Sequence, residues 1–278
     1  MAKAFSVASW NVEHFKGDPA RLIRVTDKIK ELDPDIFALY EVEGKVVFNA
    51  LRQKFPGYAF QITEGPQTQE ILCAVRSGLD PFFTQKVTFK SANPYMRPGL
   101  LLTVKHADVN YNLLFLHLAS HTTPRGMGLR DDMLSKAVKF RKTLNQAASD
   151  GRANYIFLGD LNTMGMDYPY DQSITADVEI MKLVKYAQRY YKQRQLSKTY
   201  DQTFFNGSTS IYDPGILDHV FAADHLEFNI LTDNNQQTGE VLVKGWPEKN
   251  FPAGQDDWID EFSDHALLYF EVKPVAAP

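Results

Sequence analysis

The sequence predicts a single-domain α/β protein built on mixed β-sheets. Three features lead there. Strand-like runs alternate with a few amphipathic helical patterns along all 278 residues; four of the runs finish on polar residues; and two late runs begin on such residues instead. Strands that end and strands that begin at one rim are what a sheet supplies when some strands run antiparallel to others. No repeat, low-complexity tract or linker divides the chain, so residues 1–273 read as one domain and 274–278 as a loose tail. A chain of this length buries a sizeable core without disulfide or metal staples.

The elements follow in order. FSVASWN, ending at Asn11, is a strand, and GDPARLIRVTDKIKELD is a helix by the spacing of Leu22, Val25, Ile29 and Leu32. Asp18 is placed to cap that helix and Pro19 to open it. PDIFALYE is a second strand, ending at Glu41, and a shorter helix covers about 43–55. A β-rich middle then runs through YAFQIT, EILCAVR, KVTFK, LLLTVKH and YNLLFLHLAS, separated by Gly, Pro and Asn turns. Met133, Ala137, Phe140, Leu144 and Ala147 predict a helix over 129–148, with Gly151 where a C-terminal stop belongs. YIFLGDLN is a strand, 176–196 a helix, and LDHVFAA a strand; a polar, Trp- and Pro-containing stretch over 232–262 leads to the last strand, ALLYFEV.

Hydrophobic content of 44% and charged content of 23% are those of an ordinary soluble protein. A net charge of -4 gives no global pull toward a polyanion, so nucleic-acid binding would need a local basic patch. The single cysteine, Cys73, lies in an apolar run and reads as a buried small residue. Its solitude agrees with a reducing, cytoplasmic setting, and a secreted protein without disulfides stays open. No charged-then-apolar leader opens the chain and no stretch is long and apolar enough to span a bilayer.

The polar strand ends carry the chemistry. Asn11, Glu41, His117, Asp160 and Asn162 close or follow apolar runs; Asp218 with His219, and Asp264 with His265, open them. Each has an ordinary explanation alone. Asn11 would cap a loop, Glu41 would be a solvated strand end, His117 a satisfied core histidine, and Asp160 with Asn162 a plain turn. Alternation along an extended chain would aim Asp160 and Asn162 to the same side. Six unrelated turns would not be expected to gather oxygen ligands and imidazoles at one edge. Oxygen-rich donors without cysteine suit a hard cation such as magnesium, whereas zinc favours more histidine or cysteine. Neither a nucleophile elbow nor a G-x-x-x-x-G-K phosphate loop is present. Metal, carboxylate base, amides and histidines together fit hydrolysis of a phosphate ester by activated water.

In this order, SWN (9–11), YEVEG (40–44), FLHLAS (115–120), GDLNT (159–163), LDHVF (217–221) and SDHALL (263–268) resemble the motifs of the endonuclease/exonuclease/phosphatase superfamily, which includes deoxyribonuclease I. The resemblance implies a four-layer sandwich, two packed mixed sheets with helices outside. It implies Glu41 as the principal metal ligand with Asn11 beside it, and Asp264 supporting metal or water. Asp160 would orient or deprotonate the attacking water, and Asn162 would hold it or a phosphate oxygen. His265 paired with Asp218 would stabilise phosphate charge or transfer a proton, and His117 stands where deoxyribonuclease I carries a histidine. Arg97, in YMRPGLLLTV, resembles a phosphate-contacting arginine. The Tyr-x-Pro-Asn context of apurinic-site endonucleases is absent, and LDH departs from the commoner Asp-Tyr or Asp-Arg pairing by adding His219. His14, His121, Thr122 and Arg125 are expected in loop or supporting roles.

The leading reading is a magnesium-dependent nuclease, with manganese or calcium as alternatives, that cuts DNA, or else RNA, with little sequence preference; the oligomeric state stays open, a monomer being favoured. A phosphoesterase for a lipid head group or small phosphate is the second reading, and a non-catalytic binding member the third; the latter should have lost Glu41, Asp160 or His265, and all are present. Lys182, Lys185, Arg189 and Lys192 form a basic stripe at helical spacing, a contact for a nucleic-acid backbone or simply a solvated face. Trp246 and Trp258 could stack on bases, meet a lipid surface, or pack.

Overall fold

A computed structural model describes residues 2–65 and 70–276. In chain order the strands are β1 Phe5–Asn11, β2 Ile36–Val42, β3 Tyr58–Ile62, β4 Glu70–Arg76, β5 Phe82–Lys86, β6 Gly99–His106, β7 Val109–His117, β8 Asn154–Asp160, β9 Gln193–Gln195, β10 Asp218–Ala223, β11 Leu231–Thr232, β12 Thr238–Gly239, β13 Val241–Lys244 and β14 Leu267–Val272. The helices are α1 Pro19–Leu32, α2 Gly44–Lys54, α3 Pro124–Ala147, α4 Ala176–Tyr191 and α5 Ala253–Glu261. One sheet has the order β13-β14-β1-β2-β4-β3 and the other β5-β6-β7-β8-β10-β9, while β11 and β12 form a small ribbon apart.

Each sheet is built around one parallel pair, β1 with β2 and β7 with β8, flanked by antiparallel strands. The crossovers between the parallel strands are α1 and α3. Strands β1 and β8 are buried along their whole length because both faces are covered, which explains their continuous apolar runs. Alternation divides the second sheet's side chains between two cores. Leu113, Phe115, Ile156 and Leu158 join the first sheet's residues, whereas Leu114, Leu116, Tyr155 and Phe157 pack with Met133, Ala137 and Leu183 of α3 and α4. Two mixed sheets with flanking helices are therefore the architecture, as the sequence resemblance implies.

Several boundaries differ from the sequence expectation for identifiable reasons. Helix α3 begins at Pro124 rather than Leu129, because Thr123 Oγ1 accepts from Gly126 N at 3.2 Å and Pro124 opens the first turn. Gly126 and Gly128 hide this start from an apolar count. Helix α4 stops at Tyr191 rather than 196: Lys192 turns left-handed, and the Arg141 guanidinium takes the terminal carbonyls of Tyr191 and Lys192. Residues 193–195 are then free to pair with β10. KVTFK is not a strand; the strand ends at Lys86 and Val87–Lys90 is a 3-10 turn that buries Phe89. The polar stretch over 232–262 contains β13, an edge strand on β14, and helix α5. Asp18 caps α1 as expected, accepting from Ala20 N at 2.8 Å and Arg21 N at 3.2 Å. In the tail, Val275 N donates to the Tyr111 hydroxyl at 2.9 Å, and residues 277–278 lie outside the described residues.

Candidate active site

The parallel pairs bring four of the polar strand ends to one rim. Asn11 lies beside Tyr40 in the β1–β2 register, with Glu41 next along; His117 lies beside Asp160 in β7–β8, and Asp218 lies directly across from Asp160 in β8–β10. Strand β14 runs antiparallel to β1, so the segment before it arrives at the same rim. Two bonds stitch that segment to β1: Ser263 Oγ donates to Asn11 O at 2.7 Å, and Trp10 Nε1 to His265 O at 2.9 Å.

Local backbone geometry turns these residues inward. Glu41 has φ 61, at a register shift of the β2–β4 ladder between Leu39 and Val42, a bulge that re-aims its side chain. Gly159 has φ 131, and a Cβ there would overlap the Leu116 carbonyl and lie 2.6 Å from the Tyr40 hydroxyl. Only glycine lets β8 approach its neighbour so closely just before Asp160. Asn162 is not on an extended chain, contrary to the alternation argument. It has φ 51, and its backbone N–H donates to Asp160 Oδ1 at 3.1 Å, so an Asx turn brings the amide round. Its Nδ2 donates to Leu118 O at 3.1 Å.

Asp160 sits at the centre. Asn11 Nδ2 donates to Asp160 Oδ2 at 3.0 Å and to Glu41 Oε1 at 3.2 Å, while Asn11 Oδ1 accepts from Glu13 N at 3.0 Å. The amide is thereby oriented to bridge the two carboxylates. His117 Nε2 lies 3.7 Å from Glu41 Oε1 and 3.5 Å from Asp160 Oδ2, outside good hydrogen-bond length. His265 Nδ1 donates to Asp218 Oδ2 at 2.9 Å, and its Nε2 stands 3.8 Å from Asp160 Oδ2.

Burial divides the protonation states. It pushes the Asp160 carboxyl up to about 7 against the pull of the His265 charge. Burial also works against a charged His265, yet Asp218 and Asp160 outweigh it and raise the imidazole well above its usual range. His117, buried and facing the charges of Arg97, His265 and His14, is held well below its ordinary value and stays neutral. Burial would raise the Glu41 carboxyl, but the hydrogen bond from His14 and its charge, with the Asn11 amide, lower it. A neutral imidazole, a charged one and a carboxyl poised near neutrality thus share one site.

The donor set fits a hard cation. Glu41 and Asp160 bring carboxylate oxygens to the same Asn11 amide nitrogen, cysteine takes no part, and buried His117 Nδ1 has no hydrogen-bond partner among the described residues. Asp160, Asp218 and His265 also offer ligand atoms within 4.8 Å of one another. There a proton already does what a cation would, because His265 is the positive charge between two carboxylates.

The remaining candidates are distributed around this centre. Arg97 Nη1 donates to Leu118 O at 3.3 Å, the carbonyl that Asn162 also uses. Asp264 is half-buried and accepts from Ser263 Oγ at 3.4 Å, outside the close Asp160–Asp218–His265 group. His219 is fully buried behind the site, its Nε2 against Ile216 O at 3.0 Å and Thr163 Oγ1 at 2.7 Å and its Nδ1 against Gln195 Nε2 at 2.8 Å. His14 Nε2 pairs with Glu41 Oε2 at 2.9 Å, closer than its supporting role suggests. Lys182, Lys185 and Arg189 of the basic stripe are exposed on α4, with Lys182 paired to Asp131 at 2.7 Å, whereas Lys192 lies just past the helix in its left-handed cap. Both tryptophans are buried, Trp258 stacked on Phe262 at 4.2 Å.

One group escapes sequence reasoning altogether. Arg130, on α3, is fully buried and pairs with Glu179, Nε to Oε1 at 2.9 Å and Nη2 to Oε2 at 3.1 Å. It also donates to His121 O and Gly165 O, each at 2.6 Å, and Glu179 Oε2 accepts from Gly165 N at 2.8 Å. The loop after His117 and the loop after Asn162 are therefore tied to one ion pair.

Solved structures share the fold. TDP2 from C. elegans, in truncated form, superposes with a TM-score of 0.65 at 16% identity over 97% of both chains. TDP2 from D. rerio, described in complex with a single-strand DNA product, gives 0.60 at 16% identity over 97% of this chain and 99% of that one. The human Nocturnin catalytic domain with bound sulfate gives 0.61 at 14% identity over 97% and 93%. Comparison with curated proteins returns no match. The model of the endonuclease/exonuclease/phosphatase family matches residues 8–265, from within β1 to the histidine that faces Asp160, and the chain belongs to that family.

Proposed function

We propose that the protein is a divalent-metal-dependent phosphodiesterase, a nuclease that hydrolyses DNA with little sequence preference. Members of this family are hydrolases of phosphodiester bonds. The observation that carries the reading is the pairing of a carboxyl poised near 7, Asp160, with a charged His265 held by Asp218, next to Glu41. A magnesium ion, or manganese or calcium in its place, held by Glu41 with Asn11 and Asp264, would neutralise charge on the phosphate oxygens. Asp160 takes the proton of the attacking water, whose oxygen forms the new bond to phosphorus as the opposite P–O bond breaks. Asn162 holds the water or a phosphate oxygen, and Arg97 meets the phosphate from the Leu118 side. The imidazolium of His265 stabilises the charge that builds on the phosphate and returns a proton to the leaving oxygen. His117, kept neutral, stands between Glu41 and Asp160 without adding charge. Residues 1–273 act as one unit, because the site draws on residues from Asn11 to His265.

Among known structures, the D. rerio TDP2 complex with a single-strand DNA product supports a nucleic-acid substrate. One observation favours the second reading, a lipid head group: Ile211 and Tyr212 are 89% and 70% exposed in the segment between Phe204, whose ring lies 4.9 Å from that of His265, and Gly215. Cleavage of supercoiled plasmid tests the choice. Metal-dependent nicking that chelator and Asp160→Ala abolish is the expected result. Hydrolysis of aryl phosphodiesters without any plasmid cleavage would move the substrate to a lipid or small phosphate.

A further inference from the structure

A cleft of about 500 Å³ opens beside the site, lined by the segment 93–97 and by residues from Ala119 to Leu129. Its lining includes Arg97, Arg125, His121 and Tyr95, and no acidic residue among the described residues. In a protein of net charge -4 this is a local inversion of sign. Arg97 joins the cleft to the reacting centre, since its Nη1 shares the Leu118 carbonyl with Asn162. Arg125 and His121 are exposed, and Tyr95 is 64% exposed with its phenol ring open to solvent. His121 has φ 85 and its carbonyl is held by buried Arg130, so the loop that lines the cleft is fixed by the ion pair behind it.

We propose that this cleft binds a second phosphodiester of a polynucleotide strand, adjacent to the one cleaved, with Arg125 and His121 on that phosphate and Tyr95 stacked on the intervening base. The proposal rests on the nuclease reading and deepens it by naming the residues that would hold the strand beyond the phosphate cleaved. A guanidinium supplies the bidentate donors and an aromatic face the sequence-tolerant contact that single strands require. The basic stripe on α4 is then a solvated face.

Binding of a short fluorescein-labelled oligothymidylate, followed by anisotropy in chelator across a salt series, separates the contacts. Arg125→Gln should weaken binding about five- to tenfold and lower the salt slope by about 0.7, the value for one phosphate of a single strand. Tyr95→Ala should weaken it about fivefold or more with the slope unchanged, because stacking releases no counterions. Both side chains are exposed, so the fold is not at issue. In kinetics with magnesium, Arg125→Gln should lower kcat/KM for the oligonucleotide at least fivefold more than for bis(p-nitrophenyl) phosphate, which has a single phosphodiester.

Wild-type binding by both variants would overturn the proposal. So would loss of affinity in Lys185→Gln/Arg189→Gln with Arg125→Gln unaffected, which would put the strand on α4. Tighter binding to phosphatidylserine vesicles than to the oligonucleotide, lost in Tyr95→Ala, would give the cleft to a lipid surface instead. Failure of the intact protein to hydrolyse any phosphodiester defeats the catalytic reading alone, and the anisotropy series still decides the cleft.

Discussion

Replacing Arg130 by methionine removes a guanidinium that is wholly inside the protein and keeps most of its apolar stem. The partner left behind is Glu179, 4% exposed, with the Gly165 N–H at 2.8 Å as its remaining tie. Breaking a buried ion pair from one side costs about 3–5 kcal/mol, since the stranded charge keeps its desolvation penalty. The carbonyls of His121 and Gly165 lose their donor in the same step. For 278 residues the unfolding entropy is roughly 0.6 kcal/mol per degree, which puts the fall in Tm at about 5–9 °C. Urea unfolding of Arg130→Met, Glu179→Leu and the double variant measures both loss and coupling. The double variant should cost about 2–3 kcal/mol less than the sum of the singles, because it strands no charge. A single variant that loses under about 1 kcal/mol, with the pair additive, would refute the view that this ion pair anchors the two loops.

Other outcomes follow from the same geometry. In metal-free protein the Asp160 carboxyl should titrate near 7 by carbon NMR, and added magnesium should drag the midpoint down, since a cation favours the carboxylate; an unmoved midpoint would remove metal from its neighbourhood. Asn11→Asp replaces the bridging donor with a third negative charge, so the Asp160 midpoint should rise further in the same titration. His219 and His225 are both held below their ordinary value near 6.5, His225 at about 4, chiefly by burial. Below that value the unfolded chain binds the protons the folded one refuses, so stability should fall as pH drops from about 6.5, and His225→Gln should flatten the urea midpoint against pH between about 6.5 and 4. Gly159→Ala should cost about 3 kcal/mol or more in the same assay, because φ 131 and the Leu116 carbonyl both oppose a side chain.

The rim residues were legible because polar groups at the ends of buried strands need a reason, and the ordered set supplied one. The ordinary explanations turn out to describe the means. Asp160 and Asn162 do form a turn, and the turn is what delivers the amide; Asn11 does cap a backbone N–H, at Glu13, and that bond aims its nitrogen at two carboxylates. A residue type thus announces a site only when its local role and its long-range partners agree. Where partners are distant in sequence and the local pattern is unremarkable, nothing announces them. Arg130 and Glu179 stand 49 positions apart on two helices, and an arginine on a helix reads as solvated until the partner is seen. Arg21 repeats the case: it lies within α1 yet is 1% exposed, donating to Glu13 and to the Ile259 carbonyl of α5. His14 meets Glu41 only because Glu13, His14 and Phe15 all take positive φ, a left-handed turn that no apolar spacing encodes. Burying an arginine is tolerable only when carbonyls and a carboxylate from separate segments converge on it. That convergence is a property of the folded chain, so the buried groups that tie these loops together had to be found in the structure, while the polar residues that meet at the rim could be read from the sequence.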